Sequence, residues 1–146
     1  MIKLDTDLTS DTVCAFHMLK RFFRCADNIK DVIYTGNDFP VQVFDPGDRF
    51  VRMFGQHGDR PGNFAHPCGI ATDQAGNIYV TDRQFENVQI FDAQGRILMA
   101  LGQEGNGPGK FWLPAGLFID GRGRLYVADS FNKRIQIFEL LKEAEP

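Results

Sequence analysis

The chain has 146 residues, 16 Lys+Arg against 19 Asp+Glu for a net charge of −3, and 43% hydrophobic residues. That length suits one domain, and 14 Phe, 3 Tyr and 1 Trp supply too much core material for a disordered chain. The negative balance argues against a general nucleic-acid binder, and no apolar run approaches the roughly 18 residues of a membrane span.

Residues 1–10 carry Asp5 and Asp7 and no sustained apolar stretch, so they do not read as a signal peptide; the compartment stays open, cytoplasmic for the chain as given and, as the alternative, exported in longer relatives. Three Cys are too few for a disulfide framework and agree with a reducing compartment. Residues 1–30 form a non-repeat segment. Ser10 is placed to cap a helix, along which Thr12, Ala15, Phe16, Leu19, Phe22 and Phe23 share a face while His17, Lys20, Arg21 and Arg24 fall elsewhere. A short α-helix covering an exposed sheet, a basic amphipathic segment docking on a membrane or partner, and an irregular segment all remain open readings.

From residue 31 onward the chain repeats itself with a period of 47, the offset from Val41 to Val88. Gly55, Gly58, Pro61, Gly62, Phe64 and Pro67 recur as Gly102, Gly105, Pro108, Gly109, Phe111 and Pro114. Gly69, Asp73, Gly76, Tyr79, Val80 and Asp82 recur as Gly116, Asp120, Gly123, Tyr126, Val127 and Asp129. Each unit predicts four short strands. Segments 69–73 and 116–120 are small, apolar and Gly-bounded, as an inner strand requires. The turns at 73–77 and 120–124 hold Asp, Gly and Asn, which tolerate positive φ. Segments 78–82 and 125–129 are β-branched and aromatic, and 88–91 and 135–138 alternate apolar residues with Gln. Segments 50–54 and 97–101 make an outer strand, followed by Pro- and Gly-rich connectors.

The pattern at 67–91 and 114–138, running Pro-x-Gly, then Asp, Gly, Tyr-Val-x-Asp and Val/Ile-Gln-Ile-Phe, resembles the NHL repeat, a blade of a β-propeller. A partial copy is read upstream, where 32–35 parallels 79–81 and Val41–Asp45 matches Val88–Asp92. The resemblance covers about residues 31–140 and implies an all-β fold: a partial β-propeller of four-stranded antiparallel NHL-type blades of the bacterial six-bladed type. The expected organisation is a partial blade at 31–66 lacking its inner strand, a full blade at 67–113, a blade at 114–140 lacking its outer strand, and a tail at 141–146. Six periods would need about 280 residues. About two and a half blades leave terminal faces without partners, so the chain reads either as one that self-associates to complete a ring or as the C-terminal piece of a longer propeller.

No catalytic or metal-binding pattern emerges. Cys14, His17 and Cys25 lack the paired spacing of zinc sites, and His66 with Cys68 cannot complete a tetrahedral shell. Asp73, Asp82, Asp120 and Asp129 recur blade by blade, which favours local backbone bonding over a single catalytic role. No G-x-S-x-G is present, and 102–109 lacks the Gly-Lys-Ser/Thr ending of a phosphate loop. No cofactor is expected.

In a propeller the loops joining second to third strands share a rim with the connectors. They hold Arg83, Phe85, Phe131, Lys133 and Arg134, together with His66 and Trp112, and this composition resembles contact hot spots. The competing reading packs Phe85, Phe131 and Trp112 between blades and leaves the cations solvated. The resemblance implies a non-enzymatic module binding a protein or ligand through rim loops. Alternatives are a fragment of a propeller enzyme of the metal-dependent lyase or hydrolase type, or a non-functional remnant. RNA binding is disfavoured, because residues 31–146 hold 11 Lys+Arg against 15 Asp+Glu.

Overall fold

The computed structural model describes residues 23–25, 32–36, 39–45, 47 and 49–139, with side chains from residue 40 onward. These form three antiparallel sheets in chain order and contain no helix. The first comprises β1 (Phe23–Cys25), β2 (Val32–Gly36), β3 (Phe39–Phe44) and β4 (Phe50–Phe54), in the order β1-β2-β3-β4. The second comprises β5 (Pro67–Thr72), β6 (Ile78–Asp82), β7 (Asn87–Phe91) and β8 (Ile97–Leu101), again in sequential order. The third has β9 (Pro114–Ile119), β10 (Arg124–Asp129) and β11 (Arg134–Glu139).

Two sequence expectations are corrected at the first sheet. It has an inner strand, because Phe23, Arg24 and Cys25 pair with Thr35, Tyr34 and Ile33. Phe23 and Arg24 therefore lie in extended backbone and not in a helix. The rest of the proposed helix lies outside the described residues, as does the tail. The third sheet has three strands among the described residues.

The turns form where an aspartate ties its own loop. Asp73 Oδ1 accepts the N–H groups of Ala75 and Asn77 at 2.9 Å each, and Asp120 Oδ1 does the same for Arg122 and Arg124. Asp45 and Asp92 repeat the device between third and fourth strands. Gly76 and Gly123 stand at φ 87° and 80°, a conformation an L side chain rarely adopts, so glycine is needed there.

The core lies between sheets. Val41 and Val43 of β3 pack with Phe64, Ile78, Val80 and Phe91. One repeat later Val88 and Ile90 of β7 pack with Phe111, Leu125 and Val127. Each such side chain contributes roughly 1.5–3 kcal/mol on burial. The inner strand β5 lies against β1 on one side and β9 on the other. There the backbones come so close that a Cβ on Gly69 would stand 2.6 Å from the Ala115 carbonyl.

Strands β5 to β7 of the middle sheet are buried on both faces, and the third sheet is buried on one. All of β6 is buried, whereas burial alternates along β10. Ile135 and Ile137 are the repeat counterparts of Val88 and Ile90, yet Ile135 is 37% exposed and Ile137 is half-buried. No further sheet covers that face among the described residues.

Candidate rim site

The rim is built from the β6–β7 and β10–β11 turns and the connectors preceding β5 and β9. A buried aspartate organises each half. Asp82 Oδ2 accepts Ala65 N–H at 2.7 Å, and Oδ1 accepts Gln84 and Phe85 N–H at 3.0 Å. His66 N–H also points at this carboxylate. Asp129 accepts Trp112 N–H at 2.8 Å, Arg134 Nε at 2.8 Å, Asn132 Nδ2 at 2.9 Å and Gln136 Nε2 at 3.0 Å. Burial raises the affinity of the Asp129 carboxyl for its proton, but the Trp112 N–H and the Asn132, Arg134 and Gln136 donors outweigh it and hold the group below the usual aspartate range. Both acids hold a connector to a turn.

The repeated glutamines do similar work. Gln89 accepts Gly62 N–H at 2.9 Å and donates to the Asn63 carbonyl at 2.7 Å. Gln136 accepts Gly109 N–H at 3.0 Å and donates to the Lys110 carbonyl at 2.7 Å. These two side chains carry no functional signal in the sequence beyond their recurrence in the Val/Ile-Gln pattern. Neighbouring sheets are tied by Glu86, whose Oε2 accepts Leu113 N–H at 2.6 Å. Burial pushes the Glu86 carboxyl up despite that bond.

The seven rim candidates separate into groups. Trp112 and Phe131 come together with ring centroids 5.5 Å apart and planes tilted by 36°, and they are 47% and 58% exposed. Their backbones are joined as well, Phe131 N–H donating to the Trp112 carbonyl at 3.1 Å. Lys133, in the same turn as Phe131, is exposed, and so is Arg83 in the preceding turn. Phe85 is half-buried and lines a cleft with Asn87 and Gln89. Arg134 is committed within the fold: besides Asp129 it donates to the carbonyls of Gly107 and Lys110 at 2.7 and 3.0 Å. His66 is half-buried, and its carbonyl accepts Arg83 N–H at 2.9 Å.

Cys68 is buried, with Sγ 3.2 Å from the Pro114 carbonyl and 3.5 Å from Thr81 Oγ1, and burial pushes its thiol up. Among the described residues no three His, Cys, Asp or Glu side chains gather as metal ligands. Cys14 and His17 lie outside the described residues, and Cys25 lies in β1.

Four-stranded sheets joined in sequential order, with inner strands side by side, define a β-propeller. The chain belongs to the family described as DUF5128, 6-bladed beta-propeller, whose model matches residues 70–144, just over half of it. Solved structures agree on the fold. A Bacteroides thetaiotaomicron protein of unknown function aligns with a TM-score of 0.59 at 16% identity, over 73% of this chain and 32% of that one. An auxiliary nutrient binding protein from the same organism aligns at 0.57 and 18%, over 74% and 34%. A protein of the same description from Bacteroides ovatus aligns at 0.56 and 15%, over 74% and 34%. The chain thus spans about a third of the length of these relatives. No curated protein matches it.

Proposed function

We propose that the chain is a non-enzymatic, NHL-type propeller module that binds a protein or ligand through its rim loops. The observation that carries this reading is the Trp112–Phe131 pair. Two large aromatic rings held together in half-solvated positions present an apolar surface at low entropic cost, as interface anchors do. Lys133 and Ser130 beside them are exposed and supply polar contacts. The carboxylates that recur on the rim are occupied by connector and turn donors, which favours a scaffold over an acid–base site. The description of two structural relatives as nutrient binding proteins agrees with a binding role.

Trp112 is the sole tryptophan of the chain, so its fluorescence reports on this site. A screen of peptides and small polar ligands is expected to yield a binder that shifts Trp112 emission. Its affinity should fall by about tenfold or more in Trp112→Ala and in Phe131→Ala, with melting temperature little changed. Ligands whose affinity is indifferent to both substitutions would overturn the assignment.

Self-association is part of the same proposal. The face carrying Ile135 and Ile137 is built like the face of β7 that receives the third sheet, so it suits a blade of this same repeat.

A further inference from the structure

The connectors before β5 and β9 share their backbone turn and glutamine clamp, and differ at Asn132, whose Nδ2 donates to the Gly105 carbonyl and whose counterpart is Phe85, and at Arg134. In the later repeat Lys110 N–H closes a turn on the Gly107 carbonyl, Gln136 clamps the connector, and Arg134 Nη2 donates to the Gly107 and Lys110 carbonyls. In the earlier repeat Asn63 N–H closes the same turn on the Arg60 carbonyl, and Gln89 makes the same clamp. The place of Arg134 is held by Asn87, whose side chain is too short to span to those carbonyls.

A cleft of about 300 Å³ lies there, lined by Arg60, Asn87 and Gln89, the repeat counterparts of Gly107, Arg134 and Gln136. Asp59 lies on its wall, and Phe85, Pro61, Ile97 and Ala100 give it an apolar side. The side-chain oxygen of Asn87 is buried and has no hydrogen-bond partner. Asp59 stands where the later repeat has Asn106, so this repeat has a carboxylate beside the position that Arg134 fills one blade along.

We propose that this cleft is a guanidinium site, taking an arginine side chain of a partner protein in the position that Arg134 occupies one blade along. A planar guanidinium offers several donors in a fixed fork and an apolar face, which suits the carbonyl of Arg60, the amide oxygen of Asn87 and the apolar side of the cleft. Asp59 supplies the opposing charge and Phe85 a ring against which the cation stacks. A lysine ammonium offers neither the fork nor the plane. Arg60, an exposed residue of the lining, is a like charge that competes with the ligand instead of recruiting it.

The probe is N-acetyl-arginine methylamide, with its citrulline and lysine counterparts as controls, titrated into the full chain and followed by amide NMR. Binding on the order of millimolar is expected for a single side chain, with the largest shifts at Gly62, Asn87 and Gln89. Citrulline and lysine should bind at least about fivefold more weakly. Asn87→Arg should abolish the shifts by supplying the group from within. Asp59→Asn, an exposed change that leaves packing intact, should weaken binding about threefold to tenfold. Arg60→Ala should leave binding equal or stronger, and Trp112→Ala should not affect it, which separates this site from the aromatic pair. Absence of saturable shifts, equal binding of citrulline, or loss of binding in Arg60→Ala would each overturn the proposal.

Discussion

Asp129 has no solvent exposure, and four side-chain or backbone donors meet its two oxygens. Removing a partner from such an arrangement costs far more than an exposed ion pair contributes. Asp129→Asn should lower unfolding free energy by about 3 kcal/mol in urea titration, whereas Arg96→Ala, at an ion pair whose arginine is 77% exposed, should change it by less than about 1 kcal/mol. The acid limb follows from the same bonds. Asp120 and Asp129 are held below the 3.8 of a free aspartate, in each case because donors outweigh burial. A depressed folded pKa contributes stability above 3.8 that is lost as pH falls through the folded value. Unfolding free energy should therefore drop below about pH 4, and the difference between wild type and Asp129→Asn should shrink over that interval. The roles of these acids were legible in their blade-by-blade recurrence. That Arg134 is committed was not, since the Gly107 and Lys110 carbonyls reach it only once the connector has folded. The Asn87 cleft had a signal in the 47-residue pairing of Asn87 with Arg134 and Asp59 with Asn106, but pairing residue types does not reveal which bond is lost.

Among the elements, the inner strands set the tightest tolerances. A methyl on Gly69 would meet the Ala115 carbonyl at 2.6 Å and Thr81 Oγ1 at 2.7 Å, whereas one on Gly116 meets nothing within 4 Å. Gly69→Ala is expected to destabilise by about 1–3 kcal/mol, and Gly116→Ala by less than about 0.5 kcal/mol. Equal effects in thermal unfolding would contradict the blade-on-blade approach at β5 and β9. Strands β5 to β11 were readable because period-2 patterning and turn residues are local properties. Strand β1 was not: three residues with Phe22 before them fit a helical face equally well, and only the non-local pairing of Phe23 with Thr35 decides.

For the whole molecule, the face beside Ile135 and Ile137, which no further sheet covers among the described residues, matters most. Light scattering over a concentration series is expected to show reversible association, and Ile135→Asp with Ile137→Asp should return the chain to a monomer. A wild-type monomer at all concentrations would remove self-association from the proposal. The 47-residue repeat carried the propeller architecture because every blade restates it. The proposed binding surface was legible only as a list of rim residues, since the sequence does not say that Trp112 and Phe131 meet while Arg134 turns inward.

Blades that touch only their neighbours need not open together. The middle sheet has Val41 and Val43 on one side and Leu125 and Val127 on the other, so exposing its amides means breaking two interfaces. Among the described residues the third sheet shares a core with one neighbour, so it can be peeled away by breaking one interface. Amide hydrogen exchange should therefore form a gradient, with Val80, Thr81 and Gln89 the last to lose protection and β11 among the first. The centre of the chain then acts as a template on which a frayed terminal blade re-forms, without the cost of starting a new nucleus.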